Sequence, residues 1–208
     1  MTNLSLSQIP VLKLQGFHIY KGLLARDVQA DLVNALRAVA TKAPVFTPQT
    51  AGGRRMSVQM TSAGRFGWYS DEKGYRYIDK HPTGQSWPDI PDVLLNLWDA
   101  VADTKRQPDS CLINFYGQNA RMGMHQDRDE ADLTCPVVSV SLGDEGLLRV
   151  GGCDKGGKTD TIWLQSGDVV VMGGDARLAW HGIDKIRYGS SGLLPKGGRI
   201  NVTLRVAR

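Results

Sequence analysis

The run His125-Gln126-Asp127 sets an imidazole and a carboxylate two residues apart, and a second imidazole, His181, follows much further along the chain. Two histidines and one carboxylate, two of them in a His-x-Asp pair, form the ligand set that holds a non-heme Fe(II) with coordination positions left open. On a strand, residues i and i+2 share a face, so the pair alone equally describes two polar residues on a sheet surface. A second stretch bears on the choice. In Arg199-Ile200-Asn201-Val202-Thr203-Leu204-Arg205-Val206, the residues Arg199, Asn201, Thr203 and Arg205 fall on one face of a strand, and Ile200, Val202, Leu204 and Val206 on the other. A strand with an ordinary polar outer face would read the same. If the polar face points into a barrel, two buried guanidiniums require anionic partners, because an unpaired buried charge is costly. An acidic cosubstrate would supply them. Six residues of strand span roughly 20 Å, which gives the two arginines opposite ends of a diacid rather than one shared carboxylate.

Strands must position these groups, and the composition supplies them. The chain of 208 residues is long enough for one domain with a continuous core, and 24 glycines with 9 prolines suit many short strands joined by turns. The expectation is a β-rich α+β domain over 1–208, with N-terminal strands and a helix in 1–44, an irregular region in 45–88, a supporting helix in 89–109 and strands throughout 110–208. Residues 1–24 alternate weakly and predict one or two edge strands. Between Arg26 and Lys42 the apolar positions Val28, Leu32, Leu36 and Val39 recur at helical spacing, with Asp27 near the start and Pro44 just past the end. A second helix is predicted from about Asp92, with Val93, Leu94, Leu97, Trp98 and Val101 on one stripe. Beyond it, strands are predicted at 112–116, 137–142, 147–150, 161–164, 168–172 and 199–206.

Charge is unevenly spread. The formal net charge is +4 and the pI about 9.0, which permits a polyanionic partner without requiring one. Residues 45–80 carry Arg54, Arg55, Arg65, Lys73, Arg76 and Lys80 against Asp71, Glu72 and Asp79, so most of that charge sits there. The same region holds Phe46, Phe66, Trp68, Tyr69, Tyr75, Tyr77 and, just beyond, Trp87. Cations for phosphates and rings for base stacking are how nucleic-acid strands are gripped, and a hairpin whose aromatics fill a core reads equally well. Cys111, Cys135 and Cys153 cannot all pair with one another and lack Cys-x-x-Cys spacing, so neither a disulfide framework nor a zinc ribbon is indicated. The first ten residues show no basic stretch followed by an apolar one, and no apolar run reaches membrane-spanning length. A cytoplasmic protein with no membrane partner, and a monomer, is the expectation. His18 and His81 have no motif around them and read as ordinary surface or edge residues.

Taken together, the chain resembles the AlkB family of Fe(II)/2-oxoglutarate dioxygenases, in particular its bacterial alkylation-repair members. The likeness runs from about residue 45 to the C-terminus. It rests on Cys-Leu-Ile-Asn-Phe-Tyr at 111–116, His-Gln-Asp-Arg-Asp-Glu at 125–130, Pro-Val-Val-Ser-Val-Ser-Leu-Gly at 136–143, Gly-Asp-Val-Val-Val at 167–171, Trp-His-Gly at 180–182 and the Arg-x-Asn-x-Thr-x-Arg strand at 199–205. The resemblance implies a double-stranded β-helix, or jelly roll, with a nucleotide-recognition lid over 45–88 and the catalytic core over 110–208. It assigns His125, Asp127 and His181 to iron, and Asn114, Tyr116, Arg199, Asn201 and Arg205 to 2-oxoglutarate. Trp68 and Tyr75 match positions that contact the damaged base and its phosphate, and Asp129 and Glu130 would face the exocyclic nitrogen of the base. Lys155 stands where close relatives carry an arginine near the substrate; it keeps the charge and loses the planar fork. The Gly143-Asp144-Glu145-Gly146 turn and the loop 189–198 also depart from the family's pattern.

The activity implied is oxidative removal of N-linked methyl groups, as on 1-methyladenine and 3-methylcytosine in DNA, with O2 and 2-oxoglutarate converted to succinate and CO2 and the methyl carbon leaving as formaldehyde. The substrate base would be single-stranded or flipped from a duplex. Three alternatives stay open on the sequence: a 2-oxoglutarate dioxygenase acting on RNA or another substrate, a catalytically silent barrel that binds damaged nucleic acid, and a cupin-like metal-binding protein without 2-oxoglutarate.

Overall fold

The computed structural model describes residues 10–208. Its elements follow in the order β1 (Val11–Leu14), β2 (Phe17–Tyr20), α1 (Arg26–Lys42), β3 (Val58–Gly64), β4 (Gly67–Asp71), β5 (Gly74–Ile78), α2 (Asp92–Val101), β6 (Ser110–Tyr116), β7 (Met122–His125), β8 (Val137–Gly143), β9 (Glu145–Val150), β10 (Asp160–Leu164), β11 (Val169–Met172), β12 (His181–Arg187) and β13 (Arg199–Arg205). Seven strands form one sheet in the order β1-β2-β11-β8-β13-β6-β3, four form a second in the order β10-β9-β12-β7, and β4 and β5 make a separate hairpin. From β6 to β13 the chain winds between the two larger sheets, with β6, β8, β11 and β13 in one and β7, β9, β10 and β12 in the other. This is the expected double-stranded β-helix.

Period-two alternation explains how the larger sheet serves two masters. Ile113 of β6, Val138, Val140 and Leu142 of β8, Val169 and Val171 of β11, and Ile200, Val202 and Leu204 of β13 point outward, into a core shared with the helices. Helix α1 contributes Leu32, Val33, Leu36 and Val39 to that core, and α2 contributes Leu94, Leu97 and Trp98. The apolar stripes read from the sequence are therefore the faces that bury, and Trp98 also satisfies its indole N–H by donating to the Arg106 carbonyl at 2.9 Å. The opposite faces of the same strands look into the barrel, where Asn114, Ser139, Asn201 and Thr203 line a cavity. Every residue of β13 is buried, which a one-sided solvent strand cannot be. No helix among the described residues is long and apolar enough to cross a membrane.

Three parts of the sequence reading need correction. The span 45–88 is not a lid throughout, because β3 pairs residue for residue with β6, from Val58 with Tyr116 to Gly64 with Ser110, and extends the larger sheet. Strands β3, β7 and β12 lie where none was predicted. His81 is not a surface residue: it is 4% exposed, with Nε2 2.9 Å from the Pro44 carbonyl and its ring edge-on to Phe46 and Trp87. The edge strand expected near the N-terminus is β1, with β2 inside it; residues 1–9 of that stretch lie outside the described residues.

Candidate metal and cosubstrate site

His125 ends β7 and His181 opens β12, and the two residues are direct cross-strand partners. Their rings lie 4.5 Å apart between centroids. Close approach of the strands depends on Gly182, since a Cβ there would sit 2.7 Å from the Met122 carbonyl oxygen. Asp127 follows β7 on the loop, and one ligand atom from each of the three residues falls within a 4.8 Å cluster. Nδ1 of His125 lies 2.8 Å from the Gly123 carbonyl and Nδ1 of His181 lies 3.0 Å from the Ala179 carbonyl. A carbonyl can only accept, so these bonds place the ring proton on Nδ1 and leave each Nε2 lone pair free. The two Nε2 atoms face the Asp127 carboxylate at 3.7 and 3.9 Å.

Ionisation fits the same purpose. Burial pushes the His181 pKa down to about 4, only partly opposed by Asp127, so its imidazole is neutral at physiological pH. Burial alone would raise the pKa of Asp127, but the Arg205 guanidinium and then the two imidazoles hold it well below the ordinary carboxylate range. Two imidazole nitrogens and one carboxylate are a donor set that fits Fe(II).

The two arginines of β13 differ sharply. Arg205 is neutralised within the protein: Nη2 donates to Asp127 at 2.8 Å, and Nε lies 3.5 Å from Glu130. Arg199, 1% exposed, donates from Nη2 to Ser141 Oγ at 3.0 Å and rests over the Tyr116 ring at 5.2 Å, while Nε and Nη1 have no partner. Burial pulls its pKa below the usual arginine value, with Tyr116 and Asp168 opposing. A buried cation with open donors and no acidic hydrogen-bond partner is a seat for an anion. Arg199 thus has no acidic hydrogen-bond partner within the protein, whereas Arg205 already has two carboxylates beside it. Asn201 is held by bonds from its Nδ2 to Ser139 Oγ at 2.8 Å and the Val140 carbonyl at 3.1 Å, and Asn114 leaves its buried Oδ1 unpartnered.

Two of the family-divergent features prove to be the support of Arg199. The fully buried Asp144 accepts backbone N–H bonds from Gly189, Ser191 and Gly198 at 2.9, 2.9 and 2.6 Å, tying loop 189–198 down just before β13 begins. Gly146 leaves room for the guanidinium, since a Cβ there would lie 2.8 Å from Arg199 Nε. Gly146→Ala is expected to displace Arg199 and raise the KM for 2-oxoglutarate about tenfold, a fraction of the ~100-fold that 1 Å of misplacement can cost. Initial rates at varied 2-oxoglutarate measure it; an unchanged KM would show that the side chain adapts freely.

The three ligand candidates, Arg199 and Arg205 line one cavity of about 430 Å³, together with Trp68, Tyr75, Asn114, Tyr116, Asp129 and Asn201. At its mouth the β4–β5 hairpin presents Trp68 and Tyr75, stacked at 5.4 Å and 20°. Trp68 Nε1 donates to Asp129 at 3.0 Å. The hairpin is seated on Trp87, whose Nε1 donates to the Ile78 carbonyl at 3.0 Å. Two predicted site residues do not line the cavity. Glu130 does not face a base: it is 7% exposed, accepts from Tyr77 at 2.6 Å and Arg177 at 2.9 Å, and so sits behind the site. Lys155 is exposed on the loop after β9, with Nζ 6.0 Å from the ring of Trp180, which itself lines the cavity. Ser139, Ser141, Tyr77 and Arg177 were not foreseen. A serine alternating with valines in β8 was the available signal for the first two.

An oxygenase that uses Fe(II) and 2-oxoglutarate accounts for both halves of this geometry, the two imidazoles beside one carboxylate and the arginine with no acid of its own. The model of the 2OG-Fe(II) oxygenase superfamily matches residues 16–205. An "Alpha-ketoglutarate-dependent dioxygenase AlkB homolog" of Caulobacter vibrioides is 52% identical over 96% of this chain and 91% of its own. The "DNA N(6)-methyladenine demethylase ALKBH1D" of Arabidopsis thaliana is 30% identical over 91% of this chain and 49% of its own. Among solved structures, that of OsALKBH1 superposes with a TM-score of 0.79 at 30% identity, covering 94% of this chain and 99% of that one. The protein belongs to the AlkB family of the 2OG-Fe(II) oxygenases. It is therefore a dioxygenase, with Fe(II) as its metal and 2-oxoglutarate and O2 as cosubstrates.

Proposed function

We propose that the protein removes N-linked methyl groups from bases such as 1-methyladenine and 3-methylcytosine in DNA. The observation that carries this reading is the stacked Trp68–Tyr75 pair at the mouth of the cavity that contains His125, Asp127 and His181. Base–aromatic stacking contributes about 1–3 kcal/mol per base. A flat, cationic heterocycle fits between such rings and the Asp129 carboxylate, which the Trp68 N–H holds in place.

In this reading His125, Asp127 and His181 hold Fe(II), and Arg199 binds the distal carboxylate of 2-oxoglutarate, with Asn114, Tyr116 and Asn201 lining the seat. Arg205 keeps Asp127 ionised and lies beside the proximal end. When bound, the metal with 2-oxoglutarate and O2 supplies the oxidation that yields succinate and CO2 and puts a hydroxyl on the N-linked methyl carbon. The N–C bond of the resulting N–CH2OH group then breaks, its electron pair returning to the ring nitrogen as formaldehyde and the hydroxyl proton leave, and the neutral base with that nitrogen free is the repaired one. Trp68 and Tyr75 orient the ring, the apolar lining excludes bulk water, and the exposed Arg54, Arg55, Lys73 and Lys155 would offer cations to the phosphate backbone. Such a cavity cannot admit a base still stacked in a duplex, so the base arrives single-stranded or flipped. The protein would work in the cytoplasm as a monomer. The name of a Schizosaccharomyces pombe relative, "tRNA demethylase abh1", keeps RNA as the second reading.

The test is succinate and formaldehyde formation with Fe(II), 2-oxoglutarate and a DNA strand carrying one 3-methylcytosine, beside its unmethylated control. Equimolar products with the lesion alone are expected. Succinate that ignores the lesion would retain the oxygenase and remove this substrate, and preference for a methylated RNA strand would move the reading to RNA. Trp68→Ala is expected to lower kcat/KM for the methylated strand by about 10- to 100-fold, from the loss of one stacking platform, with the KM for 2-oxoglutarate little changed. Full activity would remove Trp68 from base recognition.

A further inference from the structure

Tyr77 and Trp68 are direct cross-strand partners in the β4–β5 hairpin, so both side chains leave the same face. They engage successive carboxylates of one segment: Trp68 bonds Asp129, and the Tyr77 hydroxyl donates to Glu130 Oε1 at 2.6 Å. The same hydroxyl accepts from Arg205 Nη1 at 3.4 Å, and Arg205 in turn holds Asp127. Glu130 is fixed from its other side by Arg177, which also donates to the carbonyls of Asp127 and Cys135 at 2.5 and 2.8 Å. Tyr77 is 8% exposed and lies outside the cavity lining, so it is not placed to touch the base. Its burial raises the phenol pKa, with the Glu130 charge acting in the same direction and Arg205 against it, and the group stays a hydroxyl donor.

We infer that Tyr77 is a positioning residue that couples the base-recognition hairpin to the cosubstrate end of the site. The inference rests on the substrate reading above. Trp68 and Tyr75 meet the incoming base; Tyr77, on the same face, moves with them. Any shift of the hairpin alters the hydrogen bond shared with Glu130 and Arg205, and Arg205 is the group that orients Asp127. Buried hydrogen-bonded ion networks respond to small displacements because their alternatives are poorly satisfied. By linkage, whatever a nucleotide does to the affinity for 2-oxoglutarate, 2-oxoglutarate must do to the affinity for the nucleotide.

Binding of 2-oxoglutarate is measured on the full chain loaded with Mn(II), which does not turn over, with and without the 3-methylcytosine strand. In the wild type the strand is expected to tighten 2-oxoglutarate binding about fivefold or more, the lower range for coupled sites. Tyr77→Phe keeps the ring and its packing and should bring that factor to about one, while either ligand alone binds within a few-fold of wild type. Tyr75→Ala, which removes a ring the base meets, should weaken the strand but leave the factor in place. An undiminished factor in Tyr77→Phe overturns the inference, as does an equal loss of both affinities with the factor intact, which would make the phenol merely structural. A wild type that binds the strand without any change in 2-oxoglutarate affinity overturns the coupling alone. One that fails to bind the strand removes the substrate reading and the coupling together.

Discussion

Asp127→Ala abolishes 2-oxoglutarate-dependent turnover, with a loss on the order of 10³-fold or more, since even outer partners of a metal ligand are worth about 10–100-fold. The variant loses the anionic donor that faces both imidazoles, and it also leaves Arg205 with Glu130 as its remaining carboxylate. Two effects are therefore mixed in it. Asp127→Asn separates them, because an amide oxygen still accepts from Arg205 but brings no negative charge. Fe(II) affinity and succinate formation should fall in both variants, while the thermal midpoint should fall chiefly in Asp127→Ala. Turnover within tenfold of wild type in either one would remove Asp127 from the metal site.

Arg199→Met and Arg205→Met are expected to part in opposite directions, although the sequence presents the two arginines as equivalents. Arg199 is a buried cation with two unpartnered nitrogens and no acidic hydrogen-bond partner. Replacing it by an apolar side chain relieves desolvation, so the protein without cosubstrate should be as stable as the wild type or more so. The same change deletes the anion seat, and truncating one side of a buried charge pair commonly costs about 2–4 kcal/mol, or about 30- to 1000-fold in 2-oxoglutarate affinity. Arg205→Met instead leaves the buried Asp127 carboxylate without its guanidinium partner, while Glu130 keeps Arg177 and Tyr77, and should destabilise the fold by about 3–5 kcal/mol. Denaturant unfolding and 2-oxoglutarate titration on both variants test the contrast. If Arg205→Met were the stable one and Arg199→Met unfolded, the roles of the two arginines would be exchanged.

How much of this was legible in the sequence depends on whether one face of a segment differs chemically from the other. Strand β13 was legible because its two faces meet different environments, a polar cavity and an apolar helix-covered core, and the alternation records both. Helices α1 and α2 were legible for the same reason at a period of 3.6. Strand β3 was not: Met60, Thr61, Ser62 and Ala63 are all fully buried, so small and polar residues fill both faces and no alternation survives. In β12 a register shift between Ile183 and Ile186 puts two buried isoleucines three apart, which breaks the period. Strand β7 offers only Met-Gly-Met-His. The metal cluster was thus visible as residue types while the strands carrying its histidines were not. Glu130 was misplaced because adjacent carboxylates look alike in a sequence; the loop sends Asp129 to the cavity and Glu130 behind it. His81 was misread for want of any local signal that Phe46 and Trp87 would close over it.

The position of β13 has a consequence for how the protein is made. Furthest along the chain of all the described strands, it lies near the middle of the larger sheet, paired on one side with β8 and on the other with β6. During synthesis the ribosome releases both neighbours before their common partner, so β6 and β8 wait with hydrogen-bonding edges open toward each other. Exposed edges of this kind recruit other chains, and pairings between distant segments close slowly. The nascent protein is thus most vulnerable to aggregation in the interval between the emergence of β8 and the insertion of β13. Chaperone occupancy should peak there, and one event, the seating of a single strand, completes the barrel and delivers Arg199 and Arg205 to the site together.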